Sequence, residues 1–220
     1  MKGSISVILL SGGQGSRFQS NLAKQYHTLK EKPVALYSFE KFLQIQGVVE
    51  IIVVTAPEYQ HLFSDDNKKI SFALPGKKRQ DSSFHGFQKI SNKQGIILIH
   101  DIARPLISLS DILKLIEAAK DYGAATLATP VISTIKQVDK NFCITKTLDR
   151  QELWNIQTPQ AFHYDILAQG FNELIQNPRE VTDDISLVEH FHPNIKIVEG
   201  SSKNIKITNP EDLKIAEALL

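Results

Sequence analysis

The chain has 220 residues, 42% of them apolar and 22% charged, and its 25 Lys and Arg nearly cancel its 24 Asp and Glu to leave a formal charge of +1. That is enough apolar material for a real core, and the charge balance speaks against a disordered chain, a basic nucleic-acid binder or a polybasic membrane protein. The single cysteine, Cys143, rules out an internal disulfide framework and any multi-cysteine metal site, and no apolar run approaches the roughly 18 residues of a membrane helix; a cytoplasmic protein is expected.

Residues 4–10 (SISVILL) are a β-branched apolar run that opens directly into Ser11-Gly12-Gly13-Gln14-Gly15-Ser16-Arg17, the pattern of a buried strand entering a glycine loop. A helix begins near Val34, with Leu36, Phe39, Phe42 and Leu43 on one face, and a strand follows over 50–55. A weak strand at 72–74 precedes a helix carrying Phe84, Phe87 and Ile90, and a strong one at 95–100 runs into Asp101. Ser108 and Asp111 have capping-box spacing ahead of a helix that buries Ile112, Leu115, Ile116 and Ala119. After a strand at 124–128, residues 131–150 alternate around the polar turn Asp139-Lys140-Asn141 and read as a β-hairpin arm. Helices are expected over 164–175 and 183–191 and strands over 195–198 and 204–208. A last helix has Asn209 as its cap, Pro210 first, and Glu211 and Asp212 in its first turn. Such alternation specifies an α/β fold, a mostly parallel sheet with helices on both faces. We expect one domain over 1–220 from which an arm at about 131–152 protrudes.

Open parallel sheets bind ligands at the carboxyl ends of their strands. In the loop 11–17 adjacent glycines let backbone N–H groups approach phosphate oxygens, and Arg17 and Lys24 add positive charge. The loop is neither a Walker loop nor the dinucleotide fingerprint, whose third glycine is replaced by Phe18; without the two cations, a plain strand-to-helix turn would explain it equally well. His100-Asp101-Ile102-Ala103-Arg104-Pro105 puts an acid and a guanidinium at a strand end. Asp101 suits a hydroxyl, a metal or a metal-bound water and Arg104 a phosphate or a subunit contact, while the bland reading is a loop clip. His100 reads as a structural histidine. Taken singly, Arg150 fits a surface ion pair, Val181-Thr182-Asp183-Asp184 a helix cap, and 204–208 a sheet strand with Lys206 exposed. The run QTPQAF (157–162) carries no mechanism of its own.

In order and spacing, LSGGQGSR followed by KQY, then PGKKRQDS, HDIARP, TLDR, QTPQAF, VTDD and NIKITNPEDL resemble the 2-C-methyl-D-erythritol 4-phosphate cytidylyltransferases, nearly end to end. The resemblance implies a Rossmann-like fold of the nucleotide-diphospho-sugar transferase type and a homodimer with interlocking arms. It implies conversion of CTP and methylerythritol phosphate to 4-diphosphocytidyl-2-C-methyl-D-erythritol and pyrophosphate, in non-mevalonate isoprenoid biosynthesis. The implied cofactor is a divalent metal, normally Mg2+, with ligands unassigned. By the same resemblance Ser11, Gly12, Gly13 and Gly15 line the nucleotide, Arg17 and Lys24 its phosphates, and Gly76 and Ser82 the cytosine. Asp101, Arg104, Thr134, Thr158 and Thr182 surround the polyol phosphate, and Arg150 and Lys206 place its phosphate; Arg17, Lys24, Arg150 and Lys206 form the catalytic set. Ala23, Ile102 and Lys77 depart from the family pattern, Lys77 where an acid is common. Ribitol 5-phosphate cytidylyltransferases share the glycine loop and the QTPQ run, but TLDRQELW favours the methylerythritol enzyme. A noncatalytic nucleotide-binding regulator would not need both Arg17 and Lys24. A nicotinamide oxidoreductase would end its second strand in an acid, where Thr55 stands.

Overall fold

The computed structural model describes residues 4–13, 18, 22–66 and 68–220. Its elements run in the order β1 (Ile5–Leu10), a tight ribbon of β2 (Thr28–Leu29) and β3 (Lys32–Pro33), α1 (Val34–Leu43), β4 (Val48–Val54), β5 (Lys69–Ala73) and α2 (Arg79–Gln88). There follow β6 (Ile96–Asp101), α3 (Leu109–Tyr122), β7 (Ala124–Pro130), β8 (Lys136–Val138) and β9 (Ile144–Thr147). The chain continues with β10 (Trp154–His163), α4 (Tyr164–Gln176), β11 (Ile195–Glu199) and α5 (Pro210–Leu219).

Seven strands form one sheet in the order β11-β7-β10-β6-β1-β4-β5. β10 runs antiparallel to both of its neighbours, and the other pairings are parallel. The central strands read as unbroken apolar runs because both of their faces are covered. Val7, Leu9, Ile51 and Leu98 pack on one side with Phe39 and Phe42 of α1 and Leu115 of α3. Ile8, Ile52 and Ile99 pack on the other with Phe171 of α4 and Phe87 of α2. Gly86 lets α2 sit directly on the sheet: a Cβ there would lie 2.5 Å from Ile8 and 2.9 Å from Val54. The caps form where the sequence puts them, Ser108 Oγ accepting the Asp111 N–H at 3.0 Å and Asn209 and Asp212 making a reciprocal box at α5.

Three segments differ from the sequence expectation. The run 157–162 belongs to β10, a buried strand that the polar residues and Pro159 conceal. Its ladder with β7 shifts register between Ile156 and Gln160, and Pro159, which has no N–H to donate, sits in that irregularity. Residues 183–191 do not form an α-helix; only Ile185–Leu187 coil, as a 3-10 turn, because Asp183 and Asp184 are drawn into side-chain bonds elsewhere. Residues 204–208 join no ladder, since β11 already covers that edge of β7; the segment docks by one backbone bond, Ile207 N–H to the Ala103 carbonyl at 2.8 Å, and buries Ile207 beside Leu29 and Val34.

The arm pairs β8 with β9, Lys136 opposite Thr147, and shares no ladder with the main sheet. Its turn is closed by Asp139, whose Oδ1 accepts the N–H groups of Asn141 at 2.8 Å and Cys143 at 2.9 Å. Along it Phe142 is 88% exposed, Ile132 81% and Ile144 66%.

Candidate active site

β4 and β5 lie to one side of β1 and β6 to the other, so the loops leaving the ends of β1 and β6 diverge. A cleft of roughly 1120 Å³ opens there. Of the residues singled out by the sequence, Ser11, Gly12, Gly13, Lys24, Gly76, Ser82, Asp101 and Lys206 line it. Gly15 and Arg17 lie outside the described residues.

On the nucleotide side, Ser11 continues β1: its N–H donates to the Val54 carbonyl at 2.9 Å and its Oγ bonds the Tyr26 hydroxyl at 2.7 Å. Gln25 Nε2 donates to the carbonyls of Ser11 at 2.6 Å and Gly13 at 3.2 Å, pinning the loop to the 3-10 turn Lys24–Tyr26. The same turn carries buried Lys24 into the cleft wall. Tyr26 stacks on Tyr59 with centroids 3.7 Å apart, and burial pushes its hydroxyl pKa up, so it stays protonated. The two glycines do different work. A Cβ on Gly12 would fall 2.3 Å from Pro75 Cβ, so close approach demands glycine, whereas a Cβ on Gly13 would meet nothing within 4 Å among the described residues. Across the cleft, Gly76 turns tightly against Asp81, and its N–H donates to Ser82 Oγ at 2.9 Å. Ser82 therefore shapes this loop from within.

On the opposite side Asp101 ends β6 between two cations. Its Oδ1 accepts from Arg79 Nε at 2.9 Å and its Oδ2 from Lys206 Nζ at 2.6 Å. Burial alone would raise its pKa, but Arg79 and Lys206 outweigh burial and hold the carboxyl well below the usual range. Arg79 reaches past Asp101 to Asp184, Nη2 to Oδ2 2.7 Å, whose side chain is only 1% exposed. Burial disfavours the charge on Arg79, and the two carboxylates more than reverse that. Sequence reasoning missed Arg79 because it follows two other cations in PGKKRQDS. Its one signal was position: a cation in the first turn of a helix opposes the macrodipole and needs partners from elsewhere.

The QTPQ run acquires a function from geometry. Thr158 Oγ1 accepts the Asp101 N–H at 3.0 Å and bonds His100 Nδ1 at 3.2 Å. His100 Nε2 donates to the Arg104 carbonyl at 3.3 Å, so the ring is neutral with Nδ1 accepting from Thr158; burial lowers its pKa to about 3. Gln157 Oε1 accepts from Asn204 Nδ2 at 3.0 Å, and Gln160 Oε1 accepts the Asp184 N–H at 2.8 Å. One strand thus fixes the Lys206 segment, Asp101 and Asp184.

The remaining candidates are not on the cleft wall. Thr158 is buried beneath Asp101. Arg104 serves as a clip, Nη1 donating to the Asn204 carbonyl at 2.8 Å. Thr182 is exposed near the Asp184 turn. Thr134 and Arg150 are exposed at the arm, where Arg150 Nη1 donates to the Ile132 carbonyl at 2.6 Å. Among the described residues no three His, Cys, Asp or Glu side chains converge as a metal-ligand set, and both Asp101 oxygens already face cations.

The family model for 2-C-methyl-D-erythritol 4-phosphate cytidylyltransferase matches residues 5–220. A chloroplastic relative of that name from Oryza sativa subsp. japonica is 46% identical, the match covering 99% of this chain and 74% of the relative. A Chlamydia pneumoniae relative of the same name is 41% identical, with 98% of each chain covered. Among solved structures, the Francisella tularensis protein of that name superposes with a TM-score of 0.85 at 31% identity, over 99% of this chain and 100% of that one. A 4-diphosphocytidyl-2C-methyl-D-erythritol synthase from Anaerococcus prevotii gives a TM-score of 0.86 at 28% identity, over 99% and 96%.

Proposed function

The chain belongs to the 2-C-methyl-D-erythritol 4-phosphate cytidylyltransferase family and is a nucleotidyltransferase that joins the cytidylyl group of CTP to methylerythritol phosphate in isoprenoid biosynthesis, releasing pyrophosphate, and we propose that the cleft at the ends of β1 and β6 is where it does so. The observation that carries this is the convergence of the glycine loop, Lys24 and Lys206 on one cleft.

The reaction asks a substrate phosphate oxygen to attack a negatively charged α-phosphate in line. The enzyme's task is to hold two anions together and to neutralise the charge that develops. The nucleophile is ionised near neutral pH, so no general base is required. We assign Ser11, Gly12, Gly13 and Gly15 to the nucleotide, and Arg17 and Lys24 to its transferring phosphate. Gly76, its N–H held by Ser82, would turn its carbonyl to the cytosine edge. Lys206 and the Asp101 carboxylate take the polyol phosphate. The donor set suits a divalent ion that arrives on the phosphates of CTP rather than one caged by protein, as Mg2+ usually does; bound there, it neutralises phosphate charge.

Arg150 has no place in its own cleft, so we assign it, with Thr134, to the site of a second copy. The apolar residues exposed along the arm support a homodimer, because a two-stranded ribbon is marginal alone and gains order by burial on a partner. We treat residues 1–220 as one unit with the arm at 131–152. Among the described residues no helix is long and apolar enough to cross a membrane, and the one cysteine is exposed and free; both are compatible with the proposed cytoplasmic setting.

The test is pyrophosphate release with CTP and methylerythritol phosphate beside ribitol 5-phosphate, repeated with ATP, GTP and UTP. We expect turnover with CTP and methylerythritol phosphate. Faster turnover with ribitol phosphate, or equal turnover with ATP, would contradict the reading.

A further inference from the structure

Arg79 joins the two halves of the cleft. Its backbone opens α2 directly after the Gly76 loop on the nucleotide side, and its guanidinium crosses to Asp101 on the other side. It is held between two carboxylates of different standing. Asp184 is a fixed post, its Oδ1 accepting from Ser83 Oγ at 2.6 Å and its N–H bonded to Gln160. Asp101 is the variable one, because it also holds Lys206 at 2.6 Å, and the Lys206 side chain is 37% exposed toward the cleft.

Lys206 therefore faces a competition. Its ammonium must attract an incoming phosphate, yet it already lies on a carboxylate. The strength of that hold depends on what else neutralises Asp101. With Arg79 on Oδ1, the carboxylate is shared between two cations. Without Arg79, Asp101 and buried Asp184 would set two negative charges against Lys206 at the place where a dianionic phosphate must settle. We propose that Arg79 is a positioning residue for the polyol-phosphate half of the site: by taking one oxygen of Asp101 it leaves Lys206 free to meet the substrate phosphate. The inference rests on the assignment of that half-site to methylerythritol phosphate.

A purely structural role, partnering buried Asp184, is the competing account, and a pair of variants separates them. Arg79→Gln leaves Asp184 without its cation and should lower the thermal midpoint; Arg79→Gln with Asp184→Asn removes the stranded charge and should restore it. Steady-state kinetics are then measured against each substrate. We expect both variants to raise KM for methylerythritol phosphate about tenfold or more, with KM for CTP changed much less. Arg79→Lys, which can reach one carboxylate but not fork between two, should fall between them and the wild type. Recovery of the methylerythritol phosphate KM together with the thermal midpoint in the double variant would overturn the proposal. If the double variant does not fold, Arg79→Lys decides: a normal midpoint with raised KM supports the proposal, and an unchanged KM overturns it. Wild-type protein inactive with CTP and methylerythritol phosphate would instead defeat the assignment of the site itself, a result distinguishable from active protein whose variants keep normal constants.

Discussion

The cleft floor and the arm both place charged residues near strand ends, and they differ in where those residues find their partners. In the floor, Asp101, Arg79, Asp184 and Lys206 come from four separate stretches of the chain and bond to one another, with β10 holding three of those stretches from below. In the arm, β8 and β9 bond to each other, Asp139 closes their turn, and the Arg150 guanidinium donates to Ile132 at the arm's own base. The floor needs nothing outside the chain to be ordered. The arm presents Phe142 and Ile144 to solvent, and Arg150 is not among the described residues that line the cleft. Long-range partners within the chain mark a floor that one copy orders by itself, while apolar exposure with local partners leaves the arm with a face that its own chain does not cover.

The sharpest way to break the comparison at the floor is to remove charge from the cleft wall. Lys24→Ala should lower kcat by roughly a hundredfold to a thousandfold, the effect of deleting a donor aimed at transition-state charge, while the thermal midpoint stays near that of the wild type. Arg17→Ala should behave alike. Near-normal turnover at saturating CTP would show that the wall does not act on the transferring phosphate.

A smaller effect separates the two glycines. Gly12→Ala would force its Cβ against Pro75 and should cost about 1–3 kcal/mol of stability, whereas Gly13→Ala meets none of the described residues and should stay within about 0.5 kcal/mol of wild type. Gly13→Ala should nonetheless raise KM for CTP if the space there belongs to the nucleotide. Urea unfolding and CTP titration of the pair check both halves; equal stability of the two variants would contradict the packing argument.

The most gradual effect concerns His100, because it is spread over several pH units. Its folded pKa lies near 3, below the unfolded value of 6.5, so its contribution to stability is complete above pH 6.5 and is lost as pH falls toward 3, where the unfolded chain has gained a proton and the folded one has not. The loss amounts to at most about 1.4 kcal/mol per pH unit. In His100→Gln the slope of stability against pH over that window should be shallower by one proton. Identical slopes would show that the histidine titrates normally and is not the buried, neutral support of Thr158.

Much of this was legible in the sequence, and the remainder was hidden for identifiable reasons. β1, β4 and β6 are apolar on both faces, so they declared themselves without knowledge of their neighbours, and the glycine loop and HDIARP then fell at strand ends. β10 was concealed because Gln157, Thr158 and Gln160 are buried by virtue of bonds to Asn204, Asp101 and Asp184, which only the folded chain supplies. The same bonds explain the error at 183–191: Asp184 reads locally as a cap residue, but its carboxylate is committed to Ser83 and Arg79. Residues 204–208 alternate like a strand, yet the edge they would join is taken by β11. For Arg79 the sequence offered only an unfavourable position at a helix start.

The contrast between floor and arm makes one measurement decisive. Lys24→Ala and Arg150→Ala are each expected to be nearly inactive alone. If the arm serves the partner's cleft, a hybrid of the two variants collects both lesions in one site and leaves the other intact. Random mixing makes about half the dimers hybrid, so equimolar mixing with free subunit exchange should restore about a quarter of wild-type activity. If Arg150 serves the cleft of its own chain, every site carries one lesion and mixing restores nothing; that result, or a monomer by sedimentation at the assay concentration, would contradict the shared site.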